Sequence, residues 1–548
     1  MRTLHRWTCG AFAVLLGVAG GCAHVGQRVS PVTRLVIAEK VEPSSLNPLF
    51  ITGPTAAEIG PLVYSGLLTV DDFGHLQPDL ATTVPTQQNG GISRDGLTIT
   101  YRLRAGVKWQ DGAPLTSADV VFTYAAIVNP ANNVPSRSGF DEIRTVEATD
   151  ARTVRVYLRR PYAPILSLFM APDQNFEILP RHLLARYHDL NSVTFNAAPI
   201  GSGPFRVVSW LHGDRLRLVR NDTYFRGKPR IAAIDLRFIP DSAAIIDQLR
   251  THEVDASFFA DPTYLAQYEG LPDTRVERVR LSGFGDLIFN TQRSDLADPR
   301  VRRAIAMAID IPRLVRNATR GAQSSAEAGR GLFGWAYDPR FGPPKSDSSA
   351  ASLQFERAGW RRGGDKMLSE HGRPLSLVLA FPSGSATYAA IAVDLQAELR
   401  RAGISLTLRA YTPTLFRAPS SAGGPLFGGK FDLAFLEVFA ASDPDTRWYL
   451  GCAEVPPHGF NLQRFCDPIV DAAQSAGARS YVAATRRREA SLVQQRIARA
   501  IPFAPLYQTD AIDLIPATLH GFKSSSLSPF WNVGQWRLDA KAELPRNP

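Results

Sequence analysis

The chain has 548 residues, 45% hydrophobic and 20% charged, with a mean hydropathy of −0.10. That composition excludes wholesale disorder, and the presence of a single long apolar run excludes a polytopic membrane protein. The formal charge is +10. Only eight of the 61 basic residues are lysine, and the excess is dispersed, which favours weak steering of anions over a nucleic-acid groove. At about 100–200 residues per domain, the length predicts about three folding units or two large ones. Four cysteines are too few for a disulfide scaffold.

The first residues read as an address. Arg2 and Arg6 precede the apolar run Gly10–Gly21, which is too short for a bilayer core of about 30 Å and predicts a signal peptide over 1–21. Ala19-Gly20-Gly21 ahead of Cys22 resembles a lipobox, with Ala19 where Leu is usual. Cys22 is then the expected lipidation site, and an ordinary cleaved leader is the alternative.

Beyond the leader, strands and helices alternate. Leu97–Arg104, Thr153–Arg159, Arg215–Arg220 and Ile234–Ile239 alternate apolar and polar residues, as half-buried strands do. Thr116-Ser117-Ala118-Asp119 is a capping-box pattern opening a helix at Val120. Asp298-Pro299 supplies an N-cap and an N1 proline, and Val301, Ile305, Ala308 and Ile309 then share one helical face. The stretch Ala322–Ala351 is rich in Gly, Ser and Pro and predicts irregular structure. A helix is expected over Ala389–Arg401, stopped at Gly403, then a strand over Ile404–Leu408. Phe431–Phe439 is too apolar to be half-exposed and predicts a buried central strand. Glu489–Ala500 is a helix ended by Pro502. The serial order predicts α/β lobes.

Motifs for other chemistries fail on context. Gly424–Lys430 has phosphate-loop spacing but is followed by Phe431 and precedes a strand. No HExxH or GxSxG occurs. His182 and His188 are out of register for one helical face. The Arg302-Arg303, Arg361-Arg362 and Arg486-Arg487-Arg488 runs read as solvated faces. Cys452 and Cys466 enclose a loop-like segment with Pro456-Pro457 and Gly459. A disulfide there contributes about 3 kcal/mol on the loop-entropy model. Free thiols are one alternative, and a metal site with His458 is the other, though it has only three ligands nearby.

Taken together, several short blocks resemble the extracellular solute-binding proteins of family 5, the oligopeptide- and dipeptide-binding lipoproteins of bacterial ABC importers. These are Glu42–Pro48, Tyr64–Leu68, Asp95–Phe122 (DGLTITYRLRAGVKWQDGAPLTSADVVF), Gly201–Phe205, Asn221–Phe225, Asp298–Ile309, Ala358-Gly359-Trp360, Asp443-Pro444-Asp445 and Pro505-Leu506-Tyr507. The resemblance implies an α/β periplasmic-binding-protein type II fold of the large, three-subdomain class, with two lobes joined by a hinge. A tether over 22–34 would precede lobe I at 35–80 and 200–287, with an inserted subdomain at 81–199. Lobe II would run over 288–513, and 514–548 would return to lobe I.

It further implies a non-enzymatic monomer outside the cytoplasmic membrane, lipid-anchored through Cys22. Such a protein delivers a small peptide-like solute to permease subunits, without cofactor, metal or nucleic acid. An oligosaccharide, an opine-like compound or a nickel chelate is the alternative cargo, and a hydrolase a more distant one. Peptide-binding relatives clamp the ligand's ammonium group with an acid shortly before the Asp-Pro pattern; here that position is Ala440 or Ala441. Asp443, Asp445 or Glu437 would then substitute, or the ligand lacks that group; capping of the loop is the bland role for Asp443 and Asp445. Trp448 and Tyr449 could wall the cleft or pack in the core. Asn461 could bond ligand backbone or hold its loop, and Arg409 with Tyr411 could meet a carboxylate.

Overall fold

The computed structural model describes residues 33–51, 54–169, 176–325 and 329–539; Cys22, the leader expected over 1–21 and most of the 22–34 tether lie outside these. Its centre is one ten-stranded mixed sheet. From edge to edge the strands are Ser405–Tyr411, Ser376–Pro382, Leu433–Phe439, Thr274–Phe289, Phe503–Pro516, Ala256–Ser257, Arg34–Glu39, Ala233–Phe238, Arg215–Arg220 and Phe205–Leu211.

The two long strands, Thr274–Phe289 and Phe503–Pro516, pair antiparallel and belong to both halves of the sheet. Their register breaks between Arg280 and Phe284. At the break Gln508 Nε2 donates to the carbonyls of Leu281 and Gly283, at 2.5 and 2.6 Å. It thereby satisfies backbone groups that the ladder leaves unpaired. On one side of the break, Arg34–Glu39 runs parallel to Ala233–Phe238 and Ala256–Ser257. On the other side, Ser376–Pro382 runs parallel to Ser405–Tyr411 and Leu433–Phe439. Leu433–Phe439 is antiparallel to Thr274–Phe289, with Phe439 opposite Gly283. Both sets of parallel strands therefore end, at their C-termini, on the break. A crevice outside strand C-termini is where open α/β sheets bind ligands.

Separate cores serve the halves. Leu35, Trp109, Phe205 and Trp536 belong to one, and Phe289, Leu379, Phe435 and Tyr507 to another. A third, around Phe284, Leu436 and Tyr449, lies on the same side as the second. The expected strands lie at Thr98–Arg102, Thr153–Leu158, Arg215–Arg220 and Ala233–Phe238, and Leu433–Phe439 is buried between two neighbours. Asp298 caps its helix by accepting from Arg300 N.

The helix expected from Ala389 begins at Ala386, where Ser385 accepts from Tyr388 N. That expected from Glu489 begins at Ala483; its first turns are polar and carry no apolar period to read. The stretch Ala322–Ala351, expected to be irregular, holds a one-turn helix at Arg330–Phe333, and a longer helix opens at Ser348, where Asp347 accepts from Ala350 N. Gly424–Lys430 is a turn leading into a strand, as its context required.

Two of the family-like blocks touch. The turn around buried Trp109 presents Gln110, whose Nε2 donates to Phe205 O at 2.7 Å while its Oε1 accepts from Gly201 N at 3.0 Å. A Cβ on Gly201 would lie 1.8 Å from Val63 O, so only glycine allows this approach.

Candidate functional site

The loop that leaves Leu433–Phe439 at the break carries most of the candidates. Ala440 N donates to Ser282 O at 3.1 Å, which ties the loop to the hinge strand. Asp443 then accepts from both terminal nitrogens of Arg486, at 2.8 and 2.5 Å, and each side chain is under 15% exposed. Asp445 accepts from Arg447 Nε at 3.0 Å and from its terminal nitrogen at 2.7 Å. Burial works against both guanidinium charges, yet the aspartates hold them above their ordinary values. The two aspartates expected to replace a missing ammonium clamp are therefore already paired within the chain. The cause is proximity: Arg486 and Arg447 are held beside them and need no capture from solution.

The same pairing corrects the reading of Arg486-Arg487-Arg488 as a solvated face. Only 11% of the Arg486 side chain is exposed, and both Arg486 and Arg487 stack on the exposed Trp335, at 5.4 and 5.3 Å. Arg302 is corrected too: it is buried and donates to carbonyls of Leu296, Ala297, Ala500 and Ile501, closing the end of the helix Ala483–Ala500. Burial lowers it to about 10.

Trp448 packs in an aromatic group with Tyr449 and Phe460, centroids 5.1 and 5.7 Å away. Phe460 lies in the loop closed by the Cys452–Cys466 disulfide. Asn461, in that loop, is fully buried. Its amide donates to Gly451 O and Phe465 O and its carbonyl accepts from Phe465 N, so the loop uses it and no face is turned to a solute. Arg409 and Tyr411 stand apart. They lie on the edge strand, two strands or about 10 Å from Leu433–Phe439, with Arg409 exposed and Tyr411 against Phe416. Glu437 is held above the usual carboxylate range by burial and accepts from Tyr507 at 2.9 Å. Among the described residues no group of three or more His, Cys, Asp or Glu is placed to hold a metal ion.

Residues 97–163 face this loop from across the crevice. Arg447 lies over the Tyr162 ring at 5.1 Å and 3.9 Å from Glu142, which also takes a two-point bond from Arg160. Tyr481 inserts between Gly96 and Tyr162. Sequence reasoning missed Tyr162, Glu142, Arg447 and Tyr481 because each matters only through a partner far along the chain.

On the opposite wall, at the end of Arg34–Glu39, Glu39, Glu58 and Asp513 form a buried group of carboxyls. Burial raises Glu39, against a hydrogen bond with Glu58 that lowers it; burial and then the Glu39 charge raise Glu58, and burial pushes Asp513 up to about 7.

Two α/β halves joined by a pair of through-running strands, with both sets of strand ends on the junction, define a two-lobed periplasmic-binding-protein fold of type II. The model of "Bacterial extracellular solute-binding proteins, family 5 Middle" matches residues 75–454, and the chain belongs to that family. It is 28% identical over 448 residues to "Protein XP55" of Streptomyces lividans, covering 81% of this chain and 78% of that one. It is 25% identical over 515 residues to "Oligopeptide-binding protein AppA" of Bacillus subtilis, covering 92% and 91%. Among solved structures, NikZ from Campylobacter jejuni in complex with Ni(L-His) superposes with TM-score 0.76 at 26% identity, covering 92% of this chain and 99% of that one. Among the described residues no helix is long and apolar enough to cross a membrane.

Proposed function

We propose that the chain is the receptor of an ABC importer: it captures a peptide-like solute between its lobes and presents it to permease subunits. The observation that carries this reading is the convergence of both sets of strand ends on a two-strand hinge, inside a family of extracellular solute-binding proteins. A relative alike over nine-tenths of its length is named for oligopeptides, which favours peptide as the cargo.

Lobe I is proposed at 35–80, 200–287 and 514–548, the inserted subdomain at 81–199 and lobe II at 288–513. Trp448 is proposed as a wall for the solute. Asp443 and Asp445 are proposed to act through Arg486 and Arg447, aiming guanidinium donors at carbonyl or carboxylate oxygens of the solute. Arg409 and Tyr411 could reach only a long solute. We further propose that the chain performs no turnover, is a monomer, and is anchored through Cys22.

Mass spectrometry of co-purifying solute, followed by thermal shift with peptide, sugar and nickel-chelate panels, tests the reading. A melting shift with peptides is expected; a shift with sugars or chelates alone overturns it.

A further inference from the structure

Beyond the hinge, the halves also meet where the tip between the helices Pro468–Arg479 and Ala483–Ala500 reaches residues 96–163. Ala163 N donates to Ala478 O at 2.7 Å. Ala478 is 4% exposed and, with Tyr481, packs in the core around Trp109 and Phe205, although Val470 and Ala473 earlier in its helix belong to the core around Phe284. The Tyr481 phenol oxygen lies 3.1 Å from Gly96 O and 3.3 Å from Tyr162 O, between which it shares its proton, and accepts from Tyr162 N at 3.3 Å.

Gly96 sits at φ +72°, and a Cβ there would meet the Tyr481 ring at 2.8 Å. The seat is thus shaped for this ring. The Arg447–Tyr162 contact and the Arg160–Glu142 pair flank it. None of these groups lies on Thr274–Phe289 or Phe503–Pro516, and every partner is a protein group.

We infer that Ala478–Val482 is a clasp. It binds the lobes to each other at a second point, separate from the hinge, and biases the receptor toward closure through protein contacts alone. A two-strand hinge permits rotation, whereas a second attachment point must let go before the crevice opens. Because the clasp needs no solute group, it sets how much of the binding energy goes into closing the lobes. Tyr481 is a positioning residue here, acting on closure rather than on the solute.

The test is single-molecule energy transfer between dyes on Glu147→Cys and Arg400→Cys, both exposed, in full-length protein freed of solute by reversible unfolding. The parent is expected to populate a closed state. Tyr481→Ala is expected to lower the closed-to-open ratio about ten-fold or more, since it removes both packing and part-buried hydrogen bonds. Tyr481→Phe, which keeps the ring, should lower it less, and Gly96→Ala should match Tyr481→Ala by blocking the seat. Melting curves confirm that each variant folds; if Gly96→Ala does not, the two Tyr481 variants decide. A parent that is entirely open, or distances unchanged in the Tyr481 variants, overturns the clasp. Neither result bears on which solute binds, so failure of the clasp leaves the peptide reading intact.

Discussion

The hinge and the clasp join the same two lobes by opposite means. The hinge is two strands with a ladder on either side of a three-residue break, and its loose carbonyls are held by one glutamine. The clasp has no ladder: one backbone hydrogen bond, one phenol and one guanidinium over a ring connect residues more than 280 positions apart. Ladders with packed faces on both sides of the break cost much to break, so the hinge bends without parting. A handful of exposable polar contacts can part and re-form. The difference assigns permanence to the first junction and switching to the second.

The largest expected effect comes from attacking the permanent side. Phe284 is fully buried at the hinge break and meets Tyr449 edge-on. Phe284→Ala should cost about 3–5 kcal/mol in chemical denaturation, through lost burial plus a cavity. Arg486→Ala strands Asp443 with its charge nearly buried, and should cost about 3 kcal/mol; the double variant with Asp443→Ala should recover part of that, which a double-mutant cycle measures. Gln508→Ala leaves the Leu281 and Gly283 carbonyls without their donor. A loss of about 1–3 kcal/mol is expected, with faster amide exchange confined to the hinge.

The smallest and most diagnostic effect is on pH dependence. Burial pushes Asp286 up to about 8, against which the Tyr449 phenol donates to it. The folded chain then holds a proton that the unfolded chain releases at about pH 4. Stability from this group is complete below that pH and is lost as pH rises toward 8. Asp286→Asn should therefore flatten the fall in melting temperature between about pH 5 and pH 8; an unchanged slope would show that other carboxyls carry it.

Local signals were legible where they were enough on their own. Period-two alternation located the strands, and Asp298 capped its helix as the Asp-Pro pair required, because side-chain alternation and capping are decided within a few residues. The helix Ala483–Ala500 was read short because its first turns bury little, and only tertiary contact explains them. At the candidate site the residue types were legible, but their partners were not. Asp443 pairs with Arg486, 43 positions on, and Asn461 is consumed by its own loop.

The sequence by itself determined the strand and helix grammar, the likeness to family 5, and the absence of HExxH and GxSxG motifs, since each is written in short runs of residue type. Only the tertiary structure decided which charges face solvent and which face each other. It paired the aspartates with half-buried arginines, set Arg409 on a distant edge, and brought Tyr481 to Gly96. Charge pairing and close packing depend on distances in space, which sequence spacing does not encode once the chain turns back on itself.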